Sequence, residues 1–519
     1  MNIVYAIKIF AALSVVAFVT KLVAGAGLRA VLAPKDLKHV WWGIVGTLAV
    51  SCFSVRVEFV FITLPIWALV LSNLIGEEGS GRLPAYGLLC CICPPMYFSV
   101  QHIGPLNDLI LLTPFRILAL FLLLPEAVRL ATRRQVPKRP GWLTLCDATT
   151  LLYSAFWLAG HFAALTMSTI AREFSGQLLD SLLPYYVLTR ACVQLEVRQR
   201  FLAFVLAGAV YQAFVGMAES LSGHYLYSQL QWLYNGSFAQ ATGLMRGTWL
   251  RAVAAFPGPL AMAMLMLFGS GIWFALKKPE KDRRYLVCLL ALLGGLLATY
   301  GRGPILATLV LFASLAVLRR ISVRRYLAIS VVAVGALSIG WKFGIGQFLT
   351  DAISSLSAGD ATADFNVRYR QELLDTALGL LQQSPWLGVP NYLAQMQDLR
   401  QGEGIIDLVN TYLVVALNSG LLGIVLVFTP YAVTLWRAAR AVPPDAASAS
   451  EHLPWVALTV AVMVAIFTVS PISIIQPIMV WVIAMPLARL QQTQGVASGR
   501  IVHTKPSDFA PPLYADTWR

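Results

Sequence analysis

Apolar residues run through this chain in long blocks separated by short polar turns. A bilayer core about 30 Å thick needs roughly 20 apolar residues per helical crossing. Blocks near that length recur at 3–27, 40–57, 59–75, 85–103, 109–127, 143–167, 178–197, 201–222, 250–276, 285–300, 303–318, 326–345, 410–436, 453–470 and 473–490. Several are interrupted by Pro and Gly. The pattern predicts an all-α fold, a polytopic transmembrane bundle of roughly 12–15 helices filling residues 1–490. Composition strengthens this. The chain is 58% hydrophobic and 12% charged, against roughly 25% charged in a soluble domain. A mean hydropathy of +0.70 over 519 residues exceeds what one water-soluble core can bury.

The polar turns set an expected orientation. Basic residues cluster at 129–139 (Arg129, Arg133, Arg134, Lys138, Arg139), at 277–284, at 319–325 and at 437–440. Short basic loops stay cytoplasmic, and walking the spans keeps all four clusters on one side. The polar tail 491–519 then falls inside as a disordered segment. The longest interruption, 346–409, falls outside as one large periplasmic loop, with eight acidic residues and three arginines. Within it Asp364 or Asn366 can cap a helix from near Val367, with Val367, Leu374, Leu378 and Leu381 at helical spacing and a stop at Ser384-Pro385. This predicts an amphipathic helix on the outer surface. The net charge of +14 is thus a matter of topology, and no nucleic-acid partner follows from it. The first block, with Lys8 and Lys21 and no small-residue cleavage site, reads as a retained helix.

An ionisable residue in an apolar span costs several kcal/mol unless paired or wetted, which makes each a functional candidate. Arg190 lies in a span with Asp180, and an ion pair between them is one reading. Glu219 lies near the outer end of 201–222, Arg246 and Arg251 flank the start of 250–276, and Arg302 sits in the turn Tyr300-Gly-Arg-Gly-Pro304. With Arg368 and Arg370 they gather at the outer half. Headgroup snorkelling is the structural reading of any one of them. As a set they suit a lipid-linked diphosphate, because guanidinium forks bind phosphate bidentately and keep their charge in a dry site. The chain has no GxxxxGK[ST] phosphate loop, no Asp-x-Asp pair and no histidine pair at ligand spacing, so no metal and no cofactor are expected. The run Cys90-Cys91-Ile-Cys93 lacks a second ligand pair and reads as membrane packing.

In order along the chain stand Leu183-Pro-Tyr-Tyr-Val-Leu-Thr-Arg190, Glu219, Arg251…Phe256-Pro257 and Gly301-Arg-Gly303. Then come Arg368-Tyr-Arg370…Ser384-Pro-Trp-Leu-Gly388 and Asn410-Thr-Tyr-Leu413…Ser419-Gly-Leu-Leu-Gly423. Over roughly 180–435 this series resembles the bacterial O-antigen ligase and polymerase superfamily of polytopic membrane glycosyltransferases. The resemblance implies an undecaprenyl-diphosphate-linked glycan donor and a glycan or lipid acceptor at the periplasmic face of the inner membrane. It places Arg251, Arg302 and the Arg368/Arg370 pair on the diphosphate; Arg246 and Arg190 are further candidates for it on the charge reading alone. The acceptor hydroxyl would displace undecaprenyl diphosphate with inversion and without a metal, in O-antigen, lipopolysaccharide or exopolysaccharide biosynthesis. Flippase and chain-length regulator proteins are the expected partners.

The ligases carry His-Asn before the span that follows the large loop, whereas here the pair is Val409-Asn410. The base is then Asp407 or Glu403, unless Asp407 only caps a helix starting near Leu408. The missing histidine favours polymerase over ligase. The competing reading is a flippase or transporter of lipid-linked glycans, which would line a charged path through the whole bilayer.

Overall fold

The computed structural model describes the chain outside residues 1–2, 55, 77–78, 101–109, 133–139, 163–165, 235–237, 239, 241–242, 247–248, 277–282, 319–360, 400–405, 407, 409, 441–445, 472–473 and 498–519. In chain order the elements are α1 Ile3–Leu28, α2 Pro34–Phe53, α3 Val57–Ile75, α4 Arg82–Ile92, β1 Phe98–Val100, β2 Ile110–Leu112, α5 Pro114–Leu118, α6 Leu124–Thr132, α7 Gly141–Phe162, α8 Met167–Gln177, α9 Leu183–Ala191 and α10 Leu195–Ser222. There follow α11 Leu230–Leu233, β3 Met245–Arg246, β4 Trp249–Leu250, α12 Pro259–Ala275, α13 Arg283–Ala298, α14 Arg302–Leu318, α15 Ala361–Gln383, α16 Tyr392–Gln395, α17 Thr411–Arg440, α18 Ala446–Ala465 and α19 Ile475–Ala497. α1, α3, α10 and α17 are long and apolar enough to cross a bilayer, and shorter apolar helices pack among them. The chain is a multi-pass, all-α membrane protein, as the apolar blocks predict.

The blocks become helices because no hydrocarbon-exposed backbone can leave its N–H and C=O groups unpaired. α10 forms the centre, with nearly every side chain from Phe201 to Val215 buried. Trp481 of α19 meets the rings of Tyr86, Phe201 and Phe268 at 6.2, 5.6 and 5.6 Å, joining α4, α10, α12 and α19. Cys90, Cys91 and Cys93 are buried, with Cys91 Sγ 3.9 Å from the Val205 carbonyl, in the packing role read from the sequence. We call the end where α10 finishes, at Ser222, the upper end of the bundle. Arg437 and Arg440 lie in the last turn of α17 at the lower end, and Arg437 sits 5.7 Å from the Trp142 ring at the start of α7.

Several expectations fail in detail. The block 85–103 is not one helix. α4 stops at Ile92, about 15 Å up α10 judging by the Cys91–Val205 contact. The chain continues as the antiparallel pair β1–β2, with Phe98 opposite Leu112 and Met96 bridging Phe238. Pro94 and Pro95 supply no N–H to a helix, and irregular backbone at this depth is tolerated because protein surrounds it. The block 178–197 ends early too, since α9 stops at Ala191 and α10 begins at Leu195.

The Arg190–Asp180 pair, one reading of the sequence, does not form. Both residues lie on one helical rod ten positions apart, about 15 Å of rise, beyond side-chain reach. Arg190 instead bonds Asp147 of α7 at 3.1 Å and covers the Tyr186 ring at 3.8 Å. Asp180 lies in a π-helical turn, Leu178–Leu182, and its Oδ2 accepts from Arg116 Nε at 3.0 Å and Nη2 at 2.9 Å. The pair is partly buried, and removing one member leaves the other charge without its partner. Asp180→Ala should therefore lower the unfolding free energy by about 1–3 kcal/mol, read as a lower thermal midpoint in detergent. The Arg116→Ala/Asp180→Ala double variant should recover part of that loss, and an additive double would exclude the pair as its cause.

Candidate functional site

Three arginines meet at the upper end around one turn. Between α13 and α14 the chain reverses at 299–301, where Tyr300 adopts φ 52°. Arg246 Nη1 donates to the Tyr300 carbonyl at 2.8 Å and Arg251 Nε to the Thr299 carbonyl at 3.3 Å. Arg302 follows two residues later as the exposed first residue of α14. Three cationic side chains from separate stretches of sequence are thereby collected at one helix N-terminus, whose own dipole is also positive.

Beneath them lies a buried turn. Residues 250–258, expected as the start of a span, are not helical; α12 begins only at Pro259. Residues Ala252 to Phe256 are buried, and Ala254 has φ 49°. Among the described residues, Ala254 and Tyr300 are the non-glycine positions with positive φ, and both belong to this site. Each backbone N–H from Arg251 to Phe256 finds a partner, as burial requires. Arg251 N donates to Leu244 O at 2.9 Å and Ala252 N to Ala298 O at 2.9 Å. Glu219 Oε2 accepts from Val253 N at 3.0 Å and Ala254 N at 2.8 Å, while its Oε1 accepts from Leu226 N at 3.0 Å. Gln240 Nε2 donates to the Ala254 carbonyl at 2.7 Å. Burial raises the pKa of Tyr225, whose hydroxyl accepts from Leu244 N at 3.1 Å.

The opposite wall comes from α17, which is not one straight rod. Gly420 has φ 61° and ψ −165°, a conformation open essentially to glycine alone. Tyr412 and Phe428 stack with centroids 4.5 Å apart, although 16 residues of straight helix would separate them by about 24 Å. The segment 411–419 therefore folds back along 421–440, and only the second half is a crossing. Its first residue stands about 13 Å below the Gly420 corner. The corner is clamped by the stretch 384–389: Val389 N donates to Leu417 O at 2.6 Å and Leu421 N to Pro385 O at 2.9 Å. A Cβ on Gly420 would overlap the Trp386 carbonyl, and one on Gly388 the Leu417 carbonyl. Ser384-Pro-Trp-Leu-Gly388 and Ser419-Gly-Leu-Leu-Gly423 are thus two halves of one joint.

The recessed start of α17 faces α14 across the 466–470 link after α18. Asn410 Oδ1 accepts from Leu413 N at 3.2 Å and so caps the helix, which begins at Thr411 and not near Leu408. Thr411 Oγ1 donates to Val469 O at 2.6 Å and Ser470 Oγ to Leu408 O at 2.6 Å. Thr468 packs so closely on Gly303 that a Cβ there would overlap it. Gly303, Leu306, Tyr412, Met463, Phe467 and Thr468 line an apolar cleft of about 460 Å³ beside Arg302. Thr468, Ser470, Gln212 and Gln240 were not singled out in the sequence; the one available signal was an uncharged polar group inside or beside an apolar block.

Of the residues expected at the site, Arg246, Arg251, Arg302, Glu219 and Asn410 come to this end of the bundle. Arg190 does not. It precedes the start of α10, about 36 Å of helix from Glu219. Arg368 and Arg370 lie on α15, with side chains outside the described set, while Asp407 and Glu403 lie outside the described residues altogether. α15 begins at Ala361, earlier than the expected cap. It docks through Leu373, Ala377 and Leu380 against Leu408 and Leu417, leaving Leu374 and Leu378 exposed. Its apolar residues come in doubled steps, so sequence spacing alone admits either stripe.

Guanidinium groups and a helix N-terminus are among the groups that converge here, and both suit an anion. Residues 286–428, from within α13 to the second half of α17, match the family model described as O-antigen ligase (Wzy_C). Over this stretch the chain is similar to the O-antigen ligase/polymerase superfamily. No curated protein matches the chain.

Proposed function

We propose that this protein is an inner-membrane glycosyltransferase that polymerises, or ligates, undecaprenyl-diphosphate-linked oligosaccharide units, with its upper end at the periplasmic face. The observation that carries the reading is the gathering of Arg246, Arg251 and Arg302 on the 299–302 turn, inside and beside the family-matched stretch. The apolar cleft at Arg302 supports a donor carried on a lipid. In this reading the arginines hold the diphosphate and stabilise it as a leaving group. The acceptor hydroxyl attacks the anomeric carbon, a new C–O bond forms, the bond to the diphosphate breaks, and the configuration inverts without a metal. Asp407 or Glu403 takes the hydroxyl proton. Polymerisation is favoured because Val409 stands where the ligases carry histidine.

A deletion strain tests this. Surface polysaccharide should collapse from long chains to single attached repeats, and the wild-type gene should restore length. Long unattached chains on the lipid carrier would make the protein a ligase. Unchanged polysaccharide would overturn the assignment.

A further inference from the structure

We infer that Glu219 is a positioning residue for Arg251: its buried carboxylate gathers the amides of the 251–256 turn and so aims the guanidinium toward the donor. The inference rests on the diphosphate reading of the arginines. Glu219 lies in the last turn of α10 and is 0% exposed. An ionised side chain there is costly unless its oxygens are occupied. Its hydrogen-bond partners are three backbone amides, at 2.8 to 3.0 Å. Two of them, Val253 and Ala254, lie within three residues of Arg251. The third, Leu226, starts the outer segment that leads to Arg246.

The neighbouring polar groups are met by the uncharged amides of Gln212 and Gln240. What Glu219 adds is an acceptor that takes two successive N–H groups on one oxygen, holding the chain through the left-handed Ala254. On the far side, Ala252 N is bonded to Ala298 O, so the backbone at Arg251 is held between α10 and α13. Releasing the Glu219 side lets Arg251 drift, and small misplacements of a binding group carry large rate costs.

The test is a double-mutant cycle in proteoliposomes with the lipid-linked donor, on Glu219→Gln, Arg251→Ala and the double variant. Glu219→Gln should raise KM for the donor about tenfold more than it lowers kcat. In the Arg251→Ala background the same change should cost nothing further, because the residue it positions is gone. Glu219→Asp should recover part of the loss, and it replaces the Gln variant in the cycle should that variant fail to fold. Wild-type kinetics for Glu219→Gln, or losses that multiply fully in the double variant, would overturn the positioning role alone. Wild-type kinetics for Arg251→Ala would overturn the diphosphate reading itself, and the inference with it.

Discussion

Arg302→Ala should lower kcat/KM for the lipid-linked donor by about 10²–10³-fold while leaving the thermal midpoint nearly unchanged. The magnitude is that of removing one preorganised donor from developing negative charge. The separation of activity from stability follows from its place. Arg302 is exposed on the first turn of α14, whereas the turn beneath is held by buried hydrogen bonds that do not involve its side chain. Arg302→Lys should recover only part of the rate, since an ammonium keeps the charge without the bidentate fork. Steady-state kinetics in proteoliposomes reads both, and a wild-type rate for the alanine variant would remove Arg302 from the site.

Gly420→Ala should do the opposite, acting through the fold. The added Cβ meets the Trp386 carbonyl, and φ 61° with ψ −165° disfavours any side chain. Backbone strain of this kind costs on the order of 1–3 kcal/mol before any clash. The joint between 384–389 and 417–422 should open, and α15 should lose its seat on Leu408 and Leu417. Limited proteolysis between α15 and α17 would report the opening as faster cleavage. A variant as protease-resistant as the wild type would show that the joint does not depend on this glycine.

The bundle was legible because the bilayer leaves few options. A block of about 20 apolar residues has to pair its backbone internally, so its length and composition fix the element. The arginines of the upper end were legible for a related reason, because charge near hydrocarbon demands an explanation. What sequence spacing did not carry was long-range partnering. The choice of Asp147 over Asp180 for Arg190 depends on which rods become neighbours, and the fold of α17 at Gly420 depends on a clamp more than thirty residues upstream. The break in the block 85–103 was written locally, in Pro94-Pro95, yet its tolerance rests on surrounding protein. Likewise the turn at 252–256 looks like the start of a span because its residues are apolar; partners distant in sequence, Gln212, Glu219, Gln240 and Ala298, allow it to stay non-helical.

The joint at Gly420 is built from main-chain hydrogen bonds, Val389 to Leu417 and Leu421 to Pro385. Such bonds carry no net charge and no titratable group. Ionic strength screens exposed charges over a Debye length of about 8–10 Å, but it has nothing to act on here. These bonds therefore hold the seat of α15 independently of salt and acidity, and variation in those conditions does not loosen this joint of the wall that faces the arginines.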